Sequence, residues 1–143
     1  MAGASQYTRE ALWAYMFGKT SNFDTQPTVF IGLSSTTPTD AGANITEPSG
    51  GAYARQSTAA GDWNNPATAA EVTTIDNANP IAFAEATADY VSGANLTHFV
   101  AFDAITTGNY LGSGTLNTPK PVLNGDTASF AAGEVNLTMA PAP

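Results

Sequence analysis

The stretch from Asn95 to Met139 constrains the fold most, because it is built of short β segments with turn residues between them. In Leu96-Thr97-His98-Phe99-Val100-Ala101-Phe102 an extended backbone puts Leu96, His98, Val100 and Phe102 on one face, since successive side chains alternate. Gly108-Asn109, Asn124-Gly125-Asp126 and Ala132-Gly133 then break the chain at hairpin-like intervals. Asn124-Gly125 is the strongest of these signals, because both central residues of a type I′ turn need positive φ. Few residues along the stretch could do chemistry, so the pattern points to a domain that builds a surface.

Other strands are expected at Thr28 to Ser34, with Val29, Ile31 and Leu33 on one face, and at Ala52 to Gln56, Glu71 to Ile75 and Pro80 to Phe83. The last third adds Asn95 to Phe102, Tyr110 to Leu116, Lys120 to Leu123, Thr127 to Phe130 and Glu134 to Met139, with Val135, Leu137 and Met139 facing inward. These make about eight strands, the count of a β-sandwich, jelly-roll-like fold or small barrel. A chain of 143 residues is the size of one domain and needs no staple to fold, so residues 1–143 are expected to form a single mainly β domain. The tail Ala140-Pro141-Ala142-Pro143 cannot continue a sheet and is expected to fray or lie extended.

One helix is expected, from Ser5 as its cap to about Phe17, with Gly18 as the stop and Lys19 near the negative end of the dipole. Tyr7, Ala11 and Tyr15 share a stripe with Leu12 and Met16 beside it, and Trp13 and Phe17 carry the apolar surface further round. So broad an apolar surface calls for burial on two sides: against its own sheet, or in part against a neighbouring subunit. Between Thr36 and Gly51 only Ile45 is apolar, and a loop of that length is usually functional or disordered; on a binding module it would be a contact arm.

Charge and composition exclude several function classes. The formal charge of −8 sets scattered acids against Arg9, Lys19, Arg55 and Lys120 with no basic cluster, which argues against nucleic acid as a partner. The absence of cysteine removes disulfides, thiolate nucleophiles and cysteine-type zinc sites. No segment has the length of apolar residues needed to span a membrane, and no secretory signal pattern opens the chain, so it is expected to be soluble and made in the cytosol. Asn-x-Thr occurs at Asn44, Asn95 and Asn136 but matters only in a eukaryotic secretory pathway.

The residues that could carry catalysis are few. His98 is the sole histidine, and beside Leu96, Val100 and Phe102 it reads as a half-buried packing residue. Gly112-Ser113-Gly114 lacks the nucleophile-elbow pattern and reads as a turn or strand end. Asp40 with Glu47, or Asp62 with Glu71, could form carboxylate pairs, and the Asp40 to Glu47 loop could hold calcium, but its spacing matches no EF-hand. Arg55, at a loop-to-strand junction, could grip a carboxylate bidentately, inside the fold or across an interface. No catalytic residue, metal ligand or cofactor is expected.

Several blocks together carry a family resemblance. They are Gly32-Leu33-Ser34 with Thr37-Pro38-Thr39-Asp40-Ala41-Gly42, Thr46-Glu47-Pro48-Ser49-Gly50-Gly51 leading into Tyr53-Ala54-Arg55-Gln56, Ala86-Thr87-Ala88-Asp89-Tyr90, Phe102-Asp103-Ala104 with Thr107-Gly108-Asn109, and Phe130-Ala131-Ala132-Gly133. The chain resembles a family of small tailed-bacteriophage virion proteins, often labelled tail fibre proteins and elsewhere head decoration or cement proteins. Tyr90 stands where the family pattern carries Trp, and Ala84 where a Pro often follows the Phe. The resemblance implies a structural virion protein without enzymatic activity. The reading preferred on sequence is a decoration protein on the capsid surface, made in the bacterial cytoplasm, that binds the major capsid protein and assembles as a homotrimer. The alternative is a tail fibre or receptor-binding component. The interface residues expected on this basis are Tyr7, Trp13, Phe17, Pro38, Asp40, Ile45, Glu47 and Arg55.

Overall fold

A computed structural model describes residues 3–19 and 28–140. Ten strands and one α-helix follow in the order β1 (Gly3–Ala4), α1 (Gln6–Met16), β2 (Val29–Ser34), β3 (Gln56–Thr58), β4 (Ala67–Ala69), β5 (Val72–Asp76), β6 (Ile81–Ala82), β7 (Leu96–Phe102), β8 (Tyr110–Lys120), β9 (Ser129–Phe130) and β10 (Asn136–Met139). The fold is therefore mainly β, as expected, with one α-helix among the described residues, near their N-terminal end. Every strand pairing is antiparallel: a five-stranded sheet ordered β1-β8-β7-β2-β3, a three-stranded sheet β10-β5-β4 and a two-stranded sheet β6-β9.

One hydrophobic cluster draws on all three sheets. Ile31, Leu33, Phe99, Ala101 and Leu111 come from the large sheet, Ile81 and Phe130 from the small one, and Leu137 from the third, with Phe83, Tyr90 and Val135 between them. The buried Tyr90 donates its hydroxyl to the Ala84 carbonyl at 2.6 Å, so the two positions that depart from the family pattern are joined to each other. Asn77, fully buried, donates to the carbonyls of Asn79 and Ala131 and accepts from the Val135 amide, which satisfies backbone groups the sheets leave over.

The inward face of β7 differs from the expectation. Pairing of Ile31 with Ala101 and Leu33 with Phe99 puts these four on the core face, whereas His98, Val100 and Phe102 pair with Ser34, Gly32 and Phe30 on the reverse. Irregular register between Leu96 and His98 lets Leu96 join the core although its parity is that of His98. Both faces of the strand are covered, so apolar residues of both parities are needed and alternation alone does not choose between them.

Turn chemistry brings a second set of corrections. Asn124-Gly125 joins no paired strands, because β8 bonds to β7 and β1 while β9 bonds to β6. The two-residue hairpin lies instead at Ala70-Glu71 between β4 and β5, where both residues take positive φ of 47° and 67° without any Gly or Asn. That strand, β4, and β1 were not expected. Lys120 ends β8, so Lys120 to Leu123 is not a separate strand, and Gly112-Ser113-Gly114 is buried strand interior rather than a turn. Ala52 to Arg55 precedes β3 instead of forming it. On β10 Val135 and Leu137 pack against the core, but Met139 is 39% exposed. The proline tail Pro141-Ala142-Pro143 lies outside the described residues.

Helix α1 forms as the sequence predicts. The Ser5 hydroxyl accepts from the Thr8 amide at 3.2 Å, and the chain ends the helix with Gly18 at φ +63°. There the Gly18 amide bonds to Tyr15 O and the Lys19 amide to Ala14 O, a Schellman closure that positive φ makes easy for glycine.

Candidate interaction surface

The expected interface residues fall into four places. Glu47 and Arg55 come together beneath the long loop; Asp40 and Tyr7 meet at the N-terminal end of α1; Trp13 and Phe17 stand at its other end. Pro38 and Ile45 are half-buried in the loop itself.

Beneath the loop the chemistry is local and polar. Gly32 lies on the reverse face of β2, where a Cβ would come within 2.7 Å of both Glu47 Oε1 and the Tyr53 hydroxyl. Its missing side chain is what lets Glu47 sit against the sheet. Arg55 donates Nε to Glu47 Oε1 at 3.0 Å and Nη2 to Oε2 at 2.6 Å, a bidentate grip. Its Nη1 donates to the carbonyls of Ala104 at 2.8 Å and Thr107 at 2.7 Å, and its guanidinium stacks 3.4 Å from the Phe102 ring centroid. Thr107, a β-branched residue at φ 53°, is held in a left-handed conformation by this bond and by the Asp103–Asn109 clasp that follows it. Tyr53 accepts from the Leu33 amide at 2.9 Å and donates to Glu47 Oε1 at 2.8 Å; burial, then the Glu47 charge, pushes its hydroxyl well above the usual phenol range, so it stays a donor. Of the two roles open to Arg55 on sequence, the structure shows the internal pair. Only 9% exposed, Arg55 anchors the loop from below.

The loop from Thr36 to Gly51 has no strand or helix but is pinned throughout. The Ser34 hydroxyl accepts from the amides of Thr36 and Thr46, Thr36 Oγ1 donates to Asn44 O, and the Asn44 amide side chain donates to Thr37 O. At its tip Asp40 takes a bidentate pair from Arg9 at 2.9 and 2.8 Å, and its carbonyl accepts from the Gln6 amide. The Arg9 hydrogen bonds hold the Asp40 carboxyl below its usual range. Asp40 and Glu47 thus serve different arginines. Asp62 accepts from the Ala59 amide and the Asn79 side chain, which lowers its pKa in turn and commits it to the local turn.

His98 is half-buried, with Nδ1 2.8 Å from Thr97 Oγ1, and desolvation pushes its pKa down. Its polar neighbours on the sheet are Thr97, Thr115 and Ser34.

At the far end of α1 the chemistry is apolar. The helix buries Ala11 and packs its Tyr7, Thr8 and Leu12 side toward β8, but Trp13 is 59%, Tyr15 65%, Met16 64% and Phe17 69% exposed. The Trp13 and Phe17 rings lie 5.5 Å apart, so these two form one contiguous apolar patch at the end of the helix. Among the described residues, the expected burial on two sides is therefore present on one side only.

Beside that patch runs an apolar groove of about 380 Å³, at the seam where the three-stranded sheet meets β1, β8 and the helix. Leu12, Val29, Trp63, Ile75, Leu137 and Met139 form its walls. Sequence reasoning missed it because its walls come from five separate segments. Tyr15 and Met16 were legible as apolar helix positions, but their exposure was not.

A comparison with curated proteins finds no match. The model of a family described as "Podophage GP4 fiber I protein gp80" matches residues 3–138, nearly the whole described β fold and in keeping with the resemblance to small tailed-phage virion proteins. This chain belongs to that family of structural phage virion proteins.

Proposed function

We propose that the chain is a structural subunit of a fibre on a tailed-phage particle, working by adhesion rather than by turnover. The observation that carries this reading is the family match over residues 3–138 to a protein described as a podophage fiber. The geometry supports it: the candidate acids Asp40 and Glu47 are each bound to an arginine, His98 has Thr97, Thr115 and Ser34 as its polar neighbours, and the exposed apolar residues gather at one helix end. Partners on this reading are copies of the chain itself, as a trimer, and a structural protein of the particle. A repeated attachment needs only modest affinity at each contact, because many contacts act together.

A second reading keeps the chain on the head, as a decoration protein that binds the major capsid protein and braces the shell. What favours it is the compact fold in three short sheets, without a fibrous repeat. Cryo-electron microscopy of the virion, with the chain's copy number measured against the major capsid protein by gel densitometry, separates the two. A few copies at the tail support the fibre. Density repeated with the shell symmetry, at abundance comparable to the capsid protein, establishes the head instead.

A further inference from the structure

We propose that Asn124 is a deamidation site which the native fold holds closed, and that opening of the turn around it converts the residue irreversibly. The inference stands apart from where a particle carries the chain.

Asn124-Gly125 is the only Asn-Gly pair in the sequence, and it joins no paired strands, so hairpin formation does not account for it. The pair has a chemistry of its own. Once the Gly125 amide has given its proton to hydroxide, its nitrogen attacks Cγ of Asn124. The new C–N bond closes a succinimide, the Cγ–Nδ2 bond breaks, and Nδ2 leaves as ammonia with a proton from water. Water then opens the ring at either carbonyl. One product is an aspartate; the other is an isoaspartate, whose main chain runs through Cβ and Cγ. Glycine in the second position favours the attack, because no Cβ shields its nitrogen. Asn124 is exposed, so solvent reaches the side chain under attack.

The fold blocks the attacking group instead. The Gly125 amide donates to the Ala86 carbonyl at 2.7 Å, and Ala86 is 1% exposed. A proton held in that bond is withheld from hydroxide, for the same reason that hydrogen-bonded amides exchange slowly. Backbone on either side is fixed as well. The Asn124 amide donates to Asp89 Oδ1 at 3.0 Å, the Asp126 amide to Leu123 O at 2.9 Å, and the Leu123 amide to Asp126 Oδ2 at 3.0 Å. Together these bonds keep the Gly125 nitrogen turned to Ala86. The Asp89 and Asp126 carboxylates beside the turn also lower the local concentration of hydroxide.

The turn belongs to a longer strap. Carbonyls of Val122, Asp126 and Ala128 accept from the amides of Tyr90, Ala86 and Phe83, and β9 continues this pairing onto β6. The bond that caps Gly125 breaks only when this part of the strap lifts, so the rate of conversion reports how often it does. Conversion then disfavours reclosure. Isoaspartate adds a carbon to the main chain ahead of Gly125, and either product brings a third carboxylate beside Asp89 and Asp126.

The full chain tests this, incubated in mildly alkaline buffer either folded or unfolded in urea, then digested in acid and mapped by mass spectrometry. Asn124 in the folded chain should convert at least about 30-fold more slowly than in the unfolded chain. Hydrogen exchange at the Gly125 amide should show protection of the same size, a readout that needs no variant. Asp89→Ala removes one tie of the turn and should raise the folded rate about 5-fold while leaving the unfolded rate unchanged. Asn124→Gln should remove the signal and so assign it to this residue. Equal rates in the folded and unfolded wild type overturn the proposal. So does an Asp89→Ala chain that converts no faster than wild type, or a Gly125 amide that exchanges freely while Asn124 stays intact. Chains converted in urea and then refolded should leave Gly125 unprotected, and full recovery of its protection would refute the irreversibility.

Discussion

At its N-terminal end α1 is bound at every turn: the Ser5 amide to Leu111 O at 2.8 Å, Thr8 Oγ1 to Leu111 O at 2.8 Å, and Arg9 to Asp40 and to Ala4 O. At its C-terminal end the same helix leaves Trp13, Tyr15, Met16 and Phe17 more than half exposed. The first end shows polar groups satisfied inside one chain, which costs little in water and positions the long loop over the sheet. The second shows apolar surface that the described residues do not cover, and contact with water is unfavourable for it. The difference separates polar residues held by partners inside the chain, among them Arg55, Glu47 and Asp40, from apolar residues that stand in solvent.

The sharpest break of this comparison is Arg55→Met. It strands Glu47 in a half-buried site and removes the partner of two backbone carbonyls, so chemical denaturation should show a loss of about 3–5 kcal/mol. A change near zero would mean that the loop does not depend on its anchor. Gly32→Ala tests the same anchor from the sheet side. Its Cβ would meet Glu47 and Tyr53, and displacing them should cost about 1–3 kcal/mol, read as a lower midpoint.

Asp40→Asn probes the exposed tie to the helix and should act through pH. The folded-state pKa of Asp40 is depressed, so its contribution is present above the unfolded value and is lost as pH falls through the folded one. Wild type should therefore lose slightly more stability than Asp40→Asn across that acid window, and added salt should shrink the gap. Smallest of all, Trp13→Ser should change the unfolding free energy of the monomer by no more than about 0.5 kcal/mol. A large loss there would place the helix end inside the fold after all.

Legibility followed the range of the physics. Ser5, Gly18 and the 3.6-residue spacing between them announce α1 because capping and propensity act within a few residues. The strand β2 was equally plain, since Val29, Ile31 and Leu33 alternate and only that face meets the core cluster. Strand β7 was visible but its orientation was not, because Phe99 and Ala101 face the core while Val100 and Phe102 face the loop, and both parities are apolar. Strand β4 was hidden because its turn uses Ala70 and Glu71, residues that carry no turn signal and are held at positive φ by the pairing of β4 with β5.

What the sequence determined by itself is a β-rich, acidic chain with one capped helix, a long polar loop and the block pattern of a phage virion family. Whether Arg55 faces inward, which face of β7 is core, and that an apolar groove opens beside a bare helix end were decided by tertiary structure. Each of these depends on segments far apart in the chain arriving at one place, Glu47 with Ala104 and Thr107 around Arg55, or Leu12 with Trp63 and Leu137 around the groove. Local spacing carries no record of such meetings, because burial and partner choice are set by what the whole chain packs together.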